Sequence, residues 1–183
     1  MNKIAITGLA VLLIASVGAL RAEDFPQLPL PQKEHKFLEQ FVGEWETEIN
    51  MPGKGAVKAN GIEIARMLGG FWVVGDGKSE LMGMPFTSVL TLGYDPQKKK
   101  YVGTWVDSVS SYLWKYEGTL DSTGKILTLD TEGPCPLRPG ELVKFKEVTE
   151  FKSKDHRIFK SSILGEDGKW TTMVTVESKR KKK

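Results

Sequence analysis

The sequence predicts an all-β fold, an antiparallel up-and-down β-barrel of about ten strands preceded by one short N-terminal helix. Three observations carry this reading. From Glu44 onward, short runs of alternating, β-branched or aromatic residues succeed one another without a second helical period. Gly, Pro, Asn and Asp punctuate the runs at hairpin spacing. A meander of this length leaves hazardous edges unless it closes, so a barrel is the first architecture and a β-sandwich the second.

The elements follow in order. Met1–Lys3 is a short basic head, and residues 4–20 are an apolar run with a small-residue tail. Residues 1–22 therefore read as a secretory signal peptide, with cleavage after Ala19 or after Ala22. The competing reading is a membrane anchor, for which the run lies at the lower length limit. Residues 23–34 begin EDFPQLPLPQ and form a proline-rich linker. KEHKFLEQFV, residues 33–42, places Phe37, Leu38, Phe41 and Val42 at helical spacing, and Gly43 ends that helix. His35, between Glu34 and Lys36, is expected on its solvated face. Strands are expected at 44–51, 56–68, 71–81, 86–94, 100–109, 111–120, 125–132, 142–152, 156–164 and 170–178. Tyr94-Asp95-Pro96-Gln97 reads as a type I turn, and Asp121-Ser122-Thr123-Gly124 and Glu166-Asp167-Gly168-Lys169 as tight hairpins. The barrel domain spans 35–178, and 179–183 is a basic tail expected to be solvated and frayed.

Composition excludes several functions. The formal charge is +3, from 26 basic and 23 acidic residues. Removing residues 1–22 takes away Lys3 and Arg21, and the tail holds five more basic residues, which leaves the body 19 against 23. Such a body is no basic nucleic-acid-binding domain. One cysteine, Cys135, makes no internal disulfide, so stability comes from a core. Cys135 itself, in GPCPLRPG, reads as a turn position.

Alternation sorts the side chains by face. Tyr101, Trp105 and Asp107 share one side of their strand, and Tyr112, Trp114 and Tyr116 one side of the next. Trp72 lies on one face of its strand with Val74 and Asp76. A dry core favours Leu, Ile and Val. Buried Trp and Tyr instead want partners for their polar atoms. Trp72, Tyr101, Trp105, Asp107, Tyr112 and Trp114 are accordingly candidate lining of a ligand pocket, against the alternative of a filled interior. Glu63 and Arg66 stand three apart in an apolar strand, so either one faces inward, where its charge needs a partner or ligand, or the pair sits at the rim exposed to water.

Catalytic motifs are lacking. No Gly-x-Ser-x-Gly elbow, phosphate loop or metal-ligand spacing occurs. His156 reads as a surface residue at a hairpin tip. Gly75-Asp76-Gly77 reads as a turn or bulge. No cofactor and no metal are expected. An enzyme using Glu63, Asp107 or Arg66 is the least favoured reading.

EHKFLEQFVGEWE, MLGGFWVVGDG, LGYDPQKKKYVGTWVDS, LWKYEGTLDSTGKILTLDTEGP and VTEFKSKDHRIFKSSILGEDGKW occur in that order. Together they resemble the bacterial domain-of-unknown-function family one-five-seven-nine. Gly43-Glu44-Trp45 after a short helix also resembles the Gly-x-Trp opening of the calycins, the lipocalin, fatty-acid-binding and nitrobindin-like barrels. That resemblance implies that Gly43 and Trp45 form a structural plug at one barrel end, with Arg157 or Arg180 against the tryptophan. A nitrobindin-like haem role would need an inward proximal histidine, which the sequence lacks.

The expectation is an exported protein, periplasmic or secreted, whose barrel binds or carries a small, mostly apolar ligand. The alternative is a structural or interaction module with a filled barrel. Neither nucleic-acid binding nor stable membrane insertion after leader removal is expected.

Overall fold

A computed structural model describes residues 28–53 and 56–182. The signal peptide read at 1–22 and the linker through residue 27 lie outside them. Pro31–Lys183 forms one compact unit. It opens with helix α1, Lys33–Leu38, extended by a tighter turn over Glu39–Phe41. Ten strands follow: β1 Gly43–Met51, β2 Val57–Leu68, β3 Trp72–Leu81, β4 Met84–Asp95 and β5 Lys100–Asp107. Then come β6 Ser110–Leu120, β7 Ile126–Pro134, β8 Leu142–Ser153, β9 His156–Leu164 and β10 Trp170–Arg180. Each pairs antiparallel with the next, and β1 closes onto β10 from Trp45↔Arg180 to Asn50↔Thr175. Closure leaves no unpaired edge strand among the described residues, which is the physical reason a meander of this length is stable.

The turns obey local chemistry. The Asp95 carboxylate accepts from the Gln97 and Lys98 N–H groups at 2.9 and 3.1 Å. Asp121 does the same for Lys125 and Ile126, at 3.0 and 2.9 Å. A hydrogen bond from Thr123 leads the causes that lower the Asp121 pKa to about 2.

Cross-strand partners share a face, so the interior can be traced from one buried residue. Trp45 is fully buried, and its line runs Trp45↔Glu63↔Gly77↔Ser88↔Asp107. Opposite it, Leu129↔Glu147↔Ser161↔Val174 faces in from β7 to β10. The main core gathers beneath α1, where Phe37, Leu38, Phe41, Trp45, Leu92 and Phe151 pack together. Full burial of each such side chain contributes roughly 1.5–3 kcal/mol. A smaller cluster of Cys135, Val143, Phe145 and Ile163 lies at the other end.

Four sequence expectations need correction. His35 is 3% exposed, because α1 lies across the barrel mouth and turns this side chain against Phe71 and Tyr94. Its Nδ1 accepts the Gln32 N–H at 2.9 Å. Gly75-Asp76-Gly77 is no turn or bulge, since it runs through β3 with unbroken pairing on both sides. Inward Gly77 leaves the space that the Ser88 hydroxyl occupies. Cys135 follows β7 as a loop residue, yet it is buried in the smaller cluster. Finally, β10 continues through Lys179 and Arg180, and the Lys181 N–H bonds the Glu44 carbonyl at 2.9 Å. The start of the tail is thus held to the wall.

Candidate functional site: the barrel interior

The interior has two regions. The first is the sealed end. Trp45 Nε1–H donates to the Phe41 carbonyl at 2.8 Å, tying the plug to the turn before it. Both candidate arginines cover the tryptophan ring, Arg157 at 4.4 Å and Arg180 at 4.1 Å from its centroid. Such cation–π contacts gain strength away from water. Arg180 also donates to the carbonyls of Val42, Gln40 and Lys154. An added Cβ at Gly43 would collide with the Arg180 guanidinium, and the residue holds φ +130°. Glycine therefore precedes the plug for two reasons, its φ and the space that the arginine takes.

Glu63 belongs to this end. It faces inward, and Arg157 Nη2 donates to its Oε1 at 2.7 Å. It is a counterion to the plug. Tyr101 lies here too, in the main core, with its hydroxyl donating to the Glu34 carbonyl of α1 at 3.0 Å. Burial, then Glu34 and Tyr94, pushes the Tyr101 phenol up to about 12.

The second region, called the chamber below, is the inner face of β5–β8. Trp105, Asp107, Tyr112 and Trp114 meet there. Trp105 Nε1–H donates to Asp107 Oδ2 at 3.0 Å, and Asp107 Oδ1 accepts the Val109 N–H at 3.0 Å. Trp105 pairs across the wall with Trp114, whose ring stands edge-on to Tyr112 and to Phe145 at 5.1 and 4.8 Å. Arg66 and Trp72 do not join them. Arg66 pairs with Val74 on the outer face, and Trp72, 39% exposed, covers Gly93 from outside. Their strand phase opposes that of Glu63, which places them on the wall rather than in a pocket.

Sequence reasoning missed the most unusual group in the chamber. Glu147 is 6% exposed. Its Oε1 accepts the Ser161 hydroxyl at 2.9 Å, and its Oε2 has no partner among the described residues. Burial pushes its carboxyl up to about 8, against the opposing pull of the Ser161 hydrogen bond. Tyr116 shares the space: burial first, then Glu147 and Asp107, raises its phenol. Inward Thr131 on β7 and Ser79 on β3 also have hydroxyls without partners among the described residues. The signal was present in β8, where Glu147 takes the same phase as Phe145 and Phe151 while the lysines take the other.

The wall parts beside this chamber. β6 and β7 pair only from Glu117↔Asp130 to Leu120↔Leu127, although β6 begins at Ser110 and β7 runs to Pro134. The separation leaves a cleft of about 490 Å³ lined by Tyr112, Leu113, Lys115, Thr131 and Glu132. Tyr112 and Thr131 take the inward phase and the other three the outward, so residues of both faces border the cleft. The Tyr112 hydroxyl straps it by donating to the Glu132 carbonyl at 3.0 Å. Trp114 lies on Gly133, where any side chain would meet its ring. His156, at the start of β9, is half-buried with Nε2 3.0 Å from Glu177 Oε1. Among the described residues no group of three His, Cys, Asp or Glu could hold a metal ion.

Fold and interior together define a calycin-like closed barrel with a tryptophan–arginine plug. The chain belongs to the family described as "Protein of unknown function (DUF1579)", which it matches over residues 30–180. No curated protein matches it. Among solved structures it is similar to Rv2717c from M. tuberculosis, with TM-score 0.59 and 9% identity, covering 83% of this chain and 99% of that one. It is also similar to the S-type phycobiliprotein lyase CPES from Guillardia theta, with TM-score 0.52 and 16% identity, over 83% of this chain and 94% of that one. At these identities the likeness is one of fold.

Proposed function

We propose that the chamber binds a small, mostly apolar molecule that enters past the Tyr112 strap. One observation carries the reading: an aromatic interior holds buried polar atoms with no partner among the described residues, foremost Glu147 Oε2. Buried polar groups are paired in the great majority of folds, and an exception calls for a role. A mostly apolar wall with a few convergent polar atoms is the usual make-up of a small-molecule site. We further infer that the chain is exported, on the basic head, apolar run and small residues of positions 1–22.

The binding test is native mass spectrometry of the natively purified protein, followed by denaturing extraction. The expected result is a co-purifying small molecule, or tryptophan quenching by neutral lipophilic probes if the protein emerges empty. An empty protein that quenches with none of them would favour a filled barrel acting through its surface. N-terminal sequencing of the mature protein tests export, with a new terminus expected after Ala19 or Ala22.

A further inference from the structure

We propose that the molecule held in this chamber is uncharged at its buried end and offers a hydrogen-bond acceptor, of the ketone, ester or ether class, to Glu147. The inference rests on the binding reading above and adds the charge and polarity of the ligand.

The geometry points this way in three steps. First, Ser161 donates to Glu147 Oε1, so the remaining oxygen, Oε2, carries whatever the site has left to offer. An isolated carboxylate sealed from water is costly, and a buried acid keeps its proton instead. The raised pKa of the group agrees with this. A protonated carboxyl has one O–H, and with Oε1 occupied that O–H sits on Oε2 as an unmatched donor. Second, Thr131, next inward along β7 from Glu147's partner Leu129, adds a second unpaired hydroxyl beside the cleft. Third, the lysines on the strands around Glu147 face away from it. Lys100, Lys115, Lys144, Lys146 and Lys152 all take the outward phase of their strands. Arg157, which β9 turns inward, pairs with Glu63 through Nη2 at 2.7 Å and lies over Trp45 at the sealed end, where its Nη1 has no hydrogen-bond partner among the described residues. A carboxylate ligand beside Glu147 would meet that acid and Asp107, with no lysine turned toward it among the described residues.

The test is displacement of the neutral probe N-phenyl-1-naphthylamine from the full chain by three molecules of one chain length: 2-undecanone, undecanoate and undecylammonium. The expected result is that the ketone displaces at about tenfold lower concentration than either ion, the effect of one well-made hydrogen bond in a desolvated site. Glu147→Gln keeps a donor of the same shape and should hold ketone affinity within about threefold. Glu147→Leu should lose about tenfold for the ketone while retaining the probe. Near-UV circular dichroism confirms that each variant is folded. Equal or better displacement by undecanoate or undecylammonium overturns the inference but leaves the binding reading standing. So does a Glu147→Leu variant that binds the ketone as the parent does. A folded protein that takes up neither the probe nor any of the three overturns both.

Discussion

Two inward glutamates divide this barrel. Glu63, at the sealed end, is held by Arg157 at 2.7 Å, and that arginine in turn covers Trp45. Glu147, in the chamber, has a serine hydroxyl at 2.9 Å and one oxygen with no partner among the described residues. The first is an ion pair integrated into a plug. The second is a lone acid in an apolar wall. A charge taken from water needs a counterion, and where none is supplied the group turns neutral. One carboxyl therefore serves stability, and the other is the group on which the proposed binding site depends. The backbone makes the same division, because the wall is continuous around Trp45 and parts between β6 and β7 beside the chamber.

The comparison can be broken first at the plug. Trp45→Ala removes a fully buried ring and strands two guanidinium groups, so a loss of about 4 kcal/mol is expected in urea unfolding. A loss below about 1 kcal/mol would mean that the sealed end does not carry the fold.

A second effect, spread over pH, separates the two acids. Glu147 keeps its proton in the folded chain up to about 8, against 4.5 as its ordinary value. Between these values the folded state binds more protons than the unfolded one. Stability should therefore fall as pH rises, by about 1.4 kcal/mol per pH unit, and level off above the folded pKa. Tyr116 and Asp107 face the same space, but Asp107 is in contact with Trp105 and Val109 rather than Glu147. Glu147→Gln should flatten the slope between about pH 5 and pH 8. A slope shared by parent and variant would assign it to another group and remove the contrast.

The smallest effect sharpens the comparison at the wall. Tyr112→Phe deletes the strap to the Glu132 carbonyl and should cost about 0.5–1 kcal/mol or less. Hydrogen exchange should quicken in residues 110–116 and stay unchanged in β1. Equal acceleration in both would show that the slot is no softer than the plug.

Much of the fold was legible because it is local. All ten strands fall within a few residues of the predicted ranges, since alternation and Asx-type turns such as Asp95 and Asp121 act over a handful of neighbours. The Gly-x-Trp plug was legible by resemblance, and the choice between its arginines ended with both in place. The interior was less legible. Trp72 and Arg66 carry the right chemistry on the wrong phase, and Tyr101 serves the helix rather than the chamber. Glu147 was passed over although it breaks the apolar phase of β8.

By itself, then, the sequence determined the strands, the turns, the need to close and the tryptophan that stops one end. Periodicity and turn chemistry are written in neighbouring residues. Only the tertiary structure decided which phase of each strand looks inward. It also decided that Glu63 meets an arginine ninety-four residues away while Glu147 meets none among the described residues, and that β6 and β7 separate. Those outcomes depend on register around a closed wall, a property that no single strand encodes.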